Sequence, residues 1–147
     1  MKLFEQPTYM GILALPLIAA SAFALPERSV SQEATPSEIT AWYEALKVND
    51  ADTLQVLLAD DATIELTDLG ITQTKTEFIA SLDQWAEANA GAELKTRLVG
   101  AQEADFEMEV CYRFASNEVL NLETYSLDSG KIRKSVQERL SDSCEDF

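Results

Sequence analysis

Glu123 is marked out for chemistry by its neighbours. In the run Val119 to Leu127 it alternates with Val119, Asn121, Tyr125 and Leu127, and residues two apart in a strand share a face. A carboxyl held among apolar and aromatic side chains loses solvation, which raises its pKa and makes it a proton donor. The competing arrangement pairs Glu123 across strands with Lys131, Arg133 or Lys134, or leaves its face wet. Trp42, Trp85, Tyr112 and Tyr125 are large enough to line a ligand cavity around such a group, or to fill a core.

Other chemistries are excluded by composition. The chain has no histidine, so histidine triads, metal sites and proton shuttles are absent. Two cysteines cannot hold zinc alone, and no glycine-rich loop able to cradle phosphate follows a strand. Serines have no imidazole to activate them. Asp60-Asp61 and Glu145-Asp146 could take a hard cation, yet the first reads as a turn and the second as a frayed tail. Neither a metal nor a cofactor is expected.

These residues need a compartment and a scaffold. Lys2, the apolar run Gly11 to Ala20 and the small pair Ala22 and Ala24 read as a signal peptide cut between Ala24 and Leu25. The run is too short, and too broken by Pro16, for a retained membrane span. Residues 1–24 carry one Lys and one Glu, so the net charge of −15 in 147 residues stays with the 123 that follow (147 − 24). That length suits one domain with one core. Its acidity repels phosphate backbones and anionic lipid heads, which disfavours nucleic acid and, after cleavage, membrane partners. A periplasmic or secreted protein is expected.

Export bears on the cysteines. An oxidising compartment and an even count without metal partners argue for a disulfide between Cys111 and Cys144. The short tail Ser141-Asp142-Ser143 can fold back across the face that holds Cys111.

Leu25 to Ser37 is polar, contains two prolines and lacks periodicity, so 25–35 is expected to be a flexible leader and 36–147 the folded domain. Thr35-Pro36-Ser37-Glu38 predicts an N-cap at Thr35 with proline at the first helical position. Ile39, Trp42, Tyr43 and Leu46 then share a helical face. Asp50 caps a second helix with Leu54, Leu57 and Leu58 inward. A strand over 62–67 and a turn at Asp68-Leu69-Gly70 follow. Thr74 and Glu77 form a capping box for a third helix carrying Phe78, Ile79, Leu82 and Trp85, and Gly91 closes that region. From Glu93 onward the period is two, with Phe106, Met108, Val110, Tyr112 and Phe114 on one face. Turn signals at Ser116-Asn117 and Asp128-Ser129-Gly130 divide an antiparallel meander. Helices first and strands after predict an α+β fold, helices packed on one face of a curved antiparallel sheet.

Trp42 to Glu65, with the segments Asn49-Asp50-Ala51-Asp52, Ala59-Asp60-Asp61-Ala62-Thr63 and Tyr125 to Ile132, resembles the nuclear-transport-factor-2-like superfamily in its SnoaL-like and ketosteroid-isomerase-like branch. The resemblance spans nearly the whole mature chain and implies a cone-shaped fold enclosing a pocket. It rests on caps, turns and core positions, so it is specific for fold rather than activity. Against the isomerase pattern of an Asp base with a Tyr and a protonated Asp as oxyanion donors, the base position falls at Leu66 and the tyrosine at Trp42. Tyr43 is one residue away, turned by about 100° on the helix, and the oxyanion acid corresponds to Glu123. Glu65 and Asp68 flank the vacant base position.

Three functions are open on these residues. A binding protein would hold a small, largely apolar molecule in the pocket. An isomerase, hydrolase or dehydratase would pair Glu123 with Tyr43, Glu65 or Asp68. A structural domain would fill the pocket with its own aromatics and dimerise through the outer face of the sheet.

Overall fold

The computed structural model describes residues 34–145 and 147. The expected signal peptide, its cleavage point and most of the leader lie outside the described residues. The elements run α1 (Ser37–Lys47), α2 (Ala51–Leu57), β1 (Leu58–Leu66), a 3-10 turn (Thr67–Leu69), β2 (Ile71–Thr74), α3 (Lys75–Ala88), β3 (Glu93–Gln102), β4 (Asp105–Arg113), β5 (Glu118–Asp128) and β6 (Lys131–Ser141).

Local chemistry sets most boundaries. Helix α1 starts one residue later than its capping signal predicts. Pro36 takes the N-cap position, Thr35 makes no cap, and the Pro36 carbonyl instead accepts from both Thr40 N and Thr40 Oγ1. The helix ends in a Schellman turn: Asn49 adopts a left-handed φ of 55° and Asp50 N donates to Ala45 O at 2.9 Å. Asp50 then caps α2, accepting from Thr53 N and Thr53 Oγ1. Thr74 and Glu77 form the full capping box of α3. Ser129 and Gly130, at φ 51° and 75°, close the two-residue turn between β5 and β6, as a mirror-type hairpin turn requires.

Six strands form one curved, unclosed sheet in the order β2-β1-β6-β5-β4-β3. The meander β3 to β6 is antiparallel, but β1 runs parallel to β6, so the sheet is mixed rather than antiparallel throughout. Strand β2 is a short extra edge with no counterpart in the sequence reading. Asp60-Asp61 is strand rather than turn. Between Leu58↔Ile132 and Thr63↔Lys134 β1 advances 63 − 58 = 5 residues while β6 advances 134 − 132 = 2, and this bulge turns both aspartates to solvent.

Helices cover one face of the sheet. Trp42, Leu46, Leu54, Phe78 and Leu82 meet Ile64, Met108, Val110, Tyr125 and Ile132 in one core. Trp42 stacks on Phe78 with ring centroids 5.2 Å apart and meets Tyr125 edge-on at 6.3 Å. On the opposite face Cys111, Leu120, Cys144 and Phe147 form a smaller cluster, tied by the Cys111–Cys144 disulfide with α-carbons 5.8 Å apart. The Phe147 ring lies 5.0 Å beneath the Arg97 guanidinium. No helix among the described residues is long and apolar enough to cross a membrane.

Candidate functional site

Strand pairing turns the inner face of the sheet into a grid. One row across it reads Leu66–Gln137–Glu123–Met108–Leu98, and the next contains Arg139–Asn121–Val110–Thr96. Glu123, Gln137, Asn121 and Arg139 therefore form a two-by-two polar block between Leu66 on one side and Met108 and Val110 on the other.

Glu123 is the buried corner of that block, with 0% exposure. None of Lys131, Arg133 and Lys134 reaches it: Arg133 pairs with Asp61 and Asp128, and Lys134 with Glu65. Its partners are three phenols. Tyr43 from α1 and Tyr125 from β5 donate to Oε2 at 2.9 and 2.6 Å, and Tyr112 from β4 donates to Oε1 at 2.7 Å. Tyr43 Oη and Tyr125 Oη are also 2.9 Å apart, so these two oxygens and Oε2 form a triangle. If Glu123 is ionised, two phenolic protons serve three edges, and one edge sets oxygen against oxygen. A proton on Oε2 fills the third edge. Electrostatics points the same way: burial pushes the Glu123 pKa up, against the opposing hydrogen bonds of Tyr125, Tyr112, Tyr43 and Asn121. Burial, and then the nearby Glu123 carboxyl, likewise raises the pKa of all three tyrosines. The cluster is a buried carboxyl whose pKa is raised, held by phenols whose own pKa values are raised as well.

Beside it lies a cavity of about 320 Å³. Leu66, Leu69, Trp85, Tyr112, Phe114 and Val119 form its apolar lining; Asp68, Asn89, Asn117, Asn121, Gln137 and Arg139 form its polar lining. Tyr112 belongs to both cavity and cluster. Trp42, Tyr43 and Tyr125, expected along the pocket together with Leu66, Trp85 and Tyr112, do not line this cavity. Trp42 and Tyr125 are wholly buried in the core and Tyr43 nearly so, because their ring faces are spent on Phe78 and on one another. The two carboxylates flanking Leu66 also part company. Glu65 points to the other face of β1 and pairs with Lys134 at 2.9 Å, whereas Asp68 lines the cavity and accepts from the Arg139 backbone N–H at 2.8 Å.

The cavity amides are what sequence reasoning missed. Alternation along β5 put Asn121 on this face, but Gln137 and Arg139 need the β5–β6 register, which is shifted by a bulge at Ser126/Leu127. Asn89 Nδ2 is held by Trp85 O at 2.7 Å. The Gln137 side chain makes no hydrogen bond with any described residue. The described residues contain no group of three or more acidic or cysteine side chains able to hold a metal ion.

No protein-family model and no curated protein matches the sequence. Solved structures do match in fold. An NTF-2 like protein of unknown function from Burkholderia xenovorans LB400 is 19% identical with a TM-score of 0.61, over 74% of this chain and 83% of that one. A SnoaL-like protein of unknown function from Burkholderia thailandensis is 12% identical with a TM-score of 0.59, over 69% and 90%. An LEH-like epoxide hydrolase from M. tuberculosis is 16% identical with a TM-score of 0.51, over 70% and 80%. Together with the helix-roofed mixed sheet, these matches give the chain the nuclear-transport-factor-2-like fold, in the form shared with SnoaL-like and ketosteroid-isomerase-like proteins.

Proposed function

We propose that this protein is exported and binds a small, largely apolar molecule in the cavity lined by Trp85, Tyr112 and Phe114. The observation that carries the reading is how the polar atoms are spent. The oxygens of the Glu123 cluster are consumed by one another and by Asn121, while the cavity keeps the Gln137 amide, without a partner among the described residues, beside aromatic walls, the usual composition of a ligand site. The buried disulfide fits an oxidising compartment. An enzyme is the second reading, favoured by Tyr112, which links Glu123 to the cavity wall. Turnover by that route requires the Tyr112 hydroxyl to leave Glu123 for the substrate. The named activity of one similar fold, epoxide hydrolysis, shows no more than that such a cone can host catalysis.

NMR titration of the full chain with small apolar fragments tests the site. Binders should shift the Trp85 indole N–H and the Asn121 and Gln137 amides, and Val119→Trp, which fills the cavity, should abolish those shifts. Shifts elsewhere, or shifts that survive Val119→Trp, overturn the reading. Export is tested separately by intact mass, which should correspond to a chain beginning at Leu25.

A further inference from the structure

The polar wall of the cavity also bears on the kind of molecule it holds, an inference that rests on the binding reading above. Its two charged groups are already engaged. Asp68 Oδ2 accepts the Arg139 backbone N–H at 2.8 Å, and Arg139 Nη1 donates to Asp142 at 3.0 Å. Between them Asp68 and Arg139 contribute no net charge to the wall. An anionic ligand would approach a chain of net charge −15 and find Asp68 in the wall, so the field opposes it. A cationic ligand would have the Arg139 guanidinium in that wall. Either charge would give up hydration without gaining a dedicated counter-charge, which is costly.

The remaining polar lining is four primary amides: Asn89, Asn117, Asn121 and Gln137. Each amide carries a donor and an acceptor. Asn89 has its donor on Trp85 O, Asn117 has its acceptor on Ser116 Oγ at 3.5 Å, and Asn121 spends one N–H on Glu123, which leaves its carbonyl oxygen and second N–H. Asn121 and Gln137 stand on neighbouring strands as diagonal partners, since Asn121 faces Arg139 and Gln137 faces Glu123. Diagonal positions are about 7–8 Å apart, a gap that one planar group with adjacent donor and acceptor bridges. On the same sheet face, on β4, the rings of Tyr112 and Phe114 stand nearly parallel, 6° apart in plane, and Trp85 from α3 also lines the cavity.

We propose that the cavity selects an uncharged ligand whose flat apolar part lies against Trp85, Tyr112 and Phe114 and whose polar end sets a donor beside an acceptor, as a carboxamide or lactam does, between Asn121 and Gln137. Four probes of one shape test this by calorimetry on the full chain: naphthalene-2-carboxamide, 2-naphthoate, 2-naphthylmethylammonium and naphthalene. The carboxamide should bind about tenfold more tightly than each of the other three, the worth of one or two well-placed hydrogen bonds. Gln137→Leu should abolish the advantage of the carboxamide over naphthalene. If a charged probe binds as tightly as the carboxamide, and Val119→Trp abolishes its binding, the head-group assignment fails and the cavity survives. If no probe binds, or binding ignores Val119→Trp, both fail.

Discussion

The Glu123 cluster and the cavity beside it are adjacent patches of one sheet face, yet they treat polar atoms in opposite ways. In the cluster, a carboxyl and three phenols from α1, β4 and β5 satisfy one another with no cation, and only Tyr112 reaches the cavity wall. Beside it, Gln137 in the same row and Asn121 and Arg139 in the next present amide and guanidinium groups to a space of about 320 Å³. The cluster is built to be complete, since any orphan among its oxygens would cost desolvation with no return. The cavity is less complete, since the Gln137 amide has no partner among the described residues. Stability should therefore reside in the first patch and recognition in the second.

Glu123→Leu breaks that division most sharply. It strands the buried Tyr112 hydroxyl and leaves Tyr43 and Tyr125 with only one another, and an unfolding free energy lower by about 3–5 kcal/mol is expected in chemical denaturation. Adding Tyr43→Phe, Tyr112→Phe and Tyr125→Phe to the same chain should recover much of the loss, because replacing all partners leaves nothing unpaired. A quadruple variant no more stable than Glu123→Leu alone would show that the loss comes from packing.

The disulfide offers a control on the far face of the sheet. Cys111→Ser with Cys144→Ser opens a loop of 33 residues and should cost about 3–4 kcal/mol by the loop-entropy model. Fragment binding in the cavity should be unchanged, because the smaller cluster of Cys111, Leu120, Cys144 and Phe147 lies on the other face of the sheet and meets the cavity wall through the Val119 carbonyl rather than a lining side chain.

Protonation of Glu123 gives a smaller, signed effect. Its folded pKa is raised above the unfolded value, chiefly by desolvation. The native state therefore holds its proton more tightly, and stability falls as pH rises from the unfolded pKa through the folded one. That contribution is fully present below the unfolded pKa, near the ordinary glutamate value of about 4.3. Glu123→Gln, which cannot ionise, should flatten the decline across this window, measured as unfolding free energy against pH. A slope unchanged by Glu123→Gln would mean that other carboxylates produce it.

What the sequence disclosed divides along similar lines. The Schellman turn at Asn49, the caps at Asp50 and Thr74 and the turn at Ser129-Gly130 are local, each fixed by a few neighbouring residues, and all but the Schellman geometry were legible. The burial of Glu123 was legible too, because alternation along β5 is unbroken from Val119 to Tyr125. Of its tyrosine partners, Tyr125 follows from the same alternation and Tyr43 was the residue that the resemblance set beside it, whereas Tyr112 needs the β4–β5 register. The parallel β1–β6 pair, the bulge at Asp60-Asp61 and edge strand β2 are non-local and leave no periodic trace. The β6 bulge hid the cavity floor. Ser126 pairs with Lys134 and Leu127 with Ile132, so Arg133 is the extra residue, and it moves the inward positions from Ile132 to Ser135, Gln137 and Arg139. A strict period of two through Lys131–Leu140 assigns Gln137 to the wrong face.

Gln137 supplies the weakest stability effect and the finest discrimination between the two patches. Its side chain has no partner among described residues and is half-buried, so Gln137→Leu removes no hydrogen bond and adds apolar surface to a wall that already holds Leu66 and Val119. The expected change in unfolding free energy is within about 0.5 kcal/mol of zero, the ordinary range for substitutions away from packed or bonded features. Glu123 lies directly opposite on β5, and for it the same change to leucine should be several times more costly. If Gln137→Leu instead destabilises by about 2 kcal/mol or more in the same denaturation assay, the amide is tied into the protein's own polar network. The cavity floor would then belong with the Glu123 cluster as one structural unit, and the case for a ligand in that space would lose its main support.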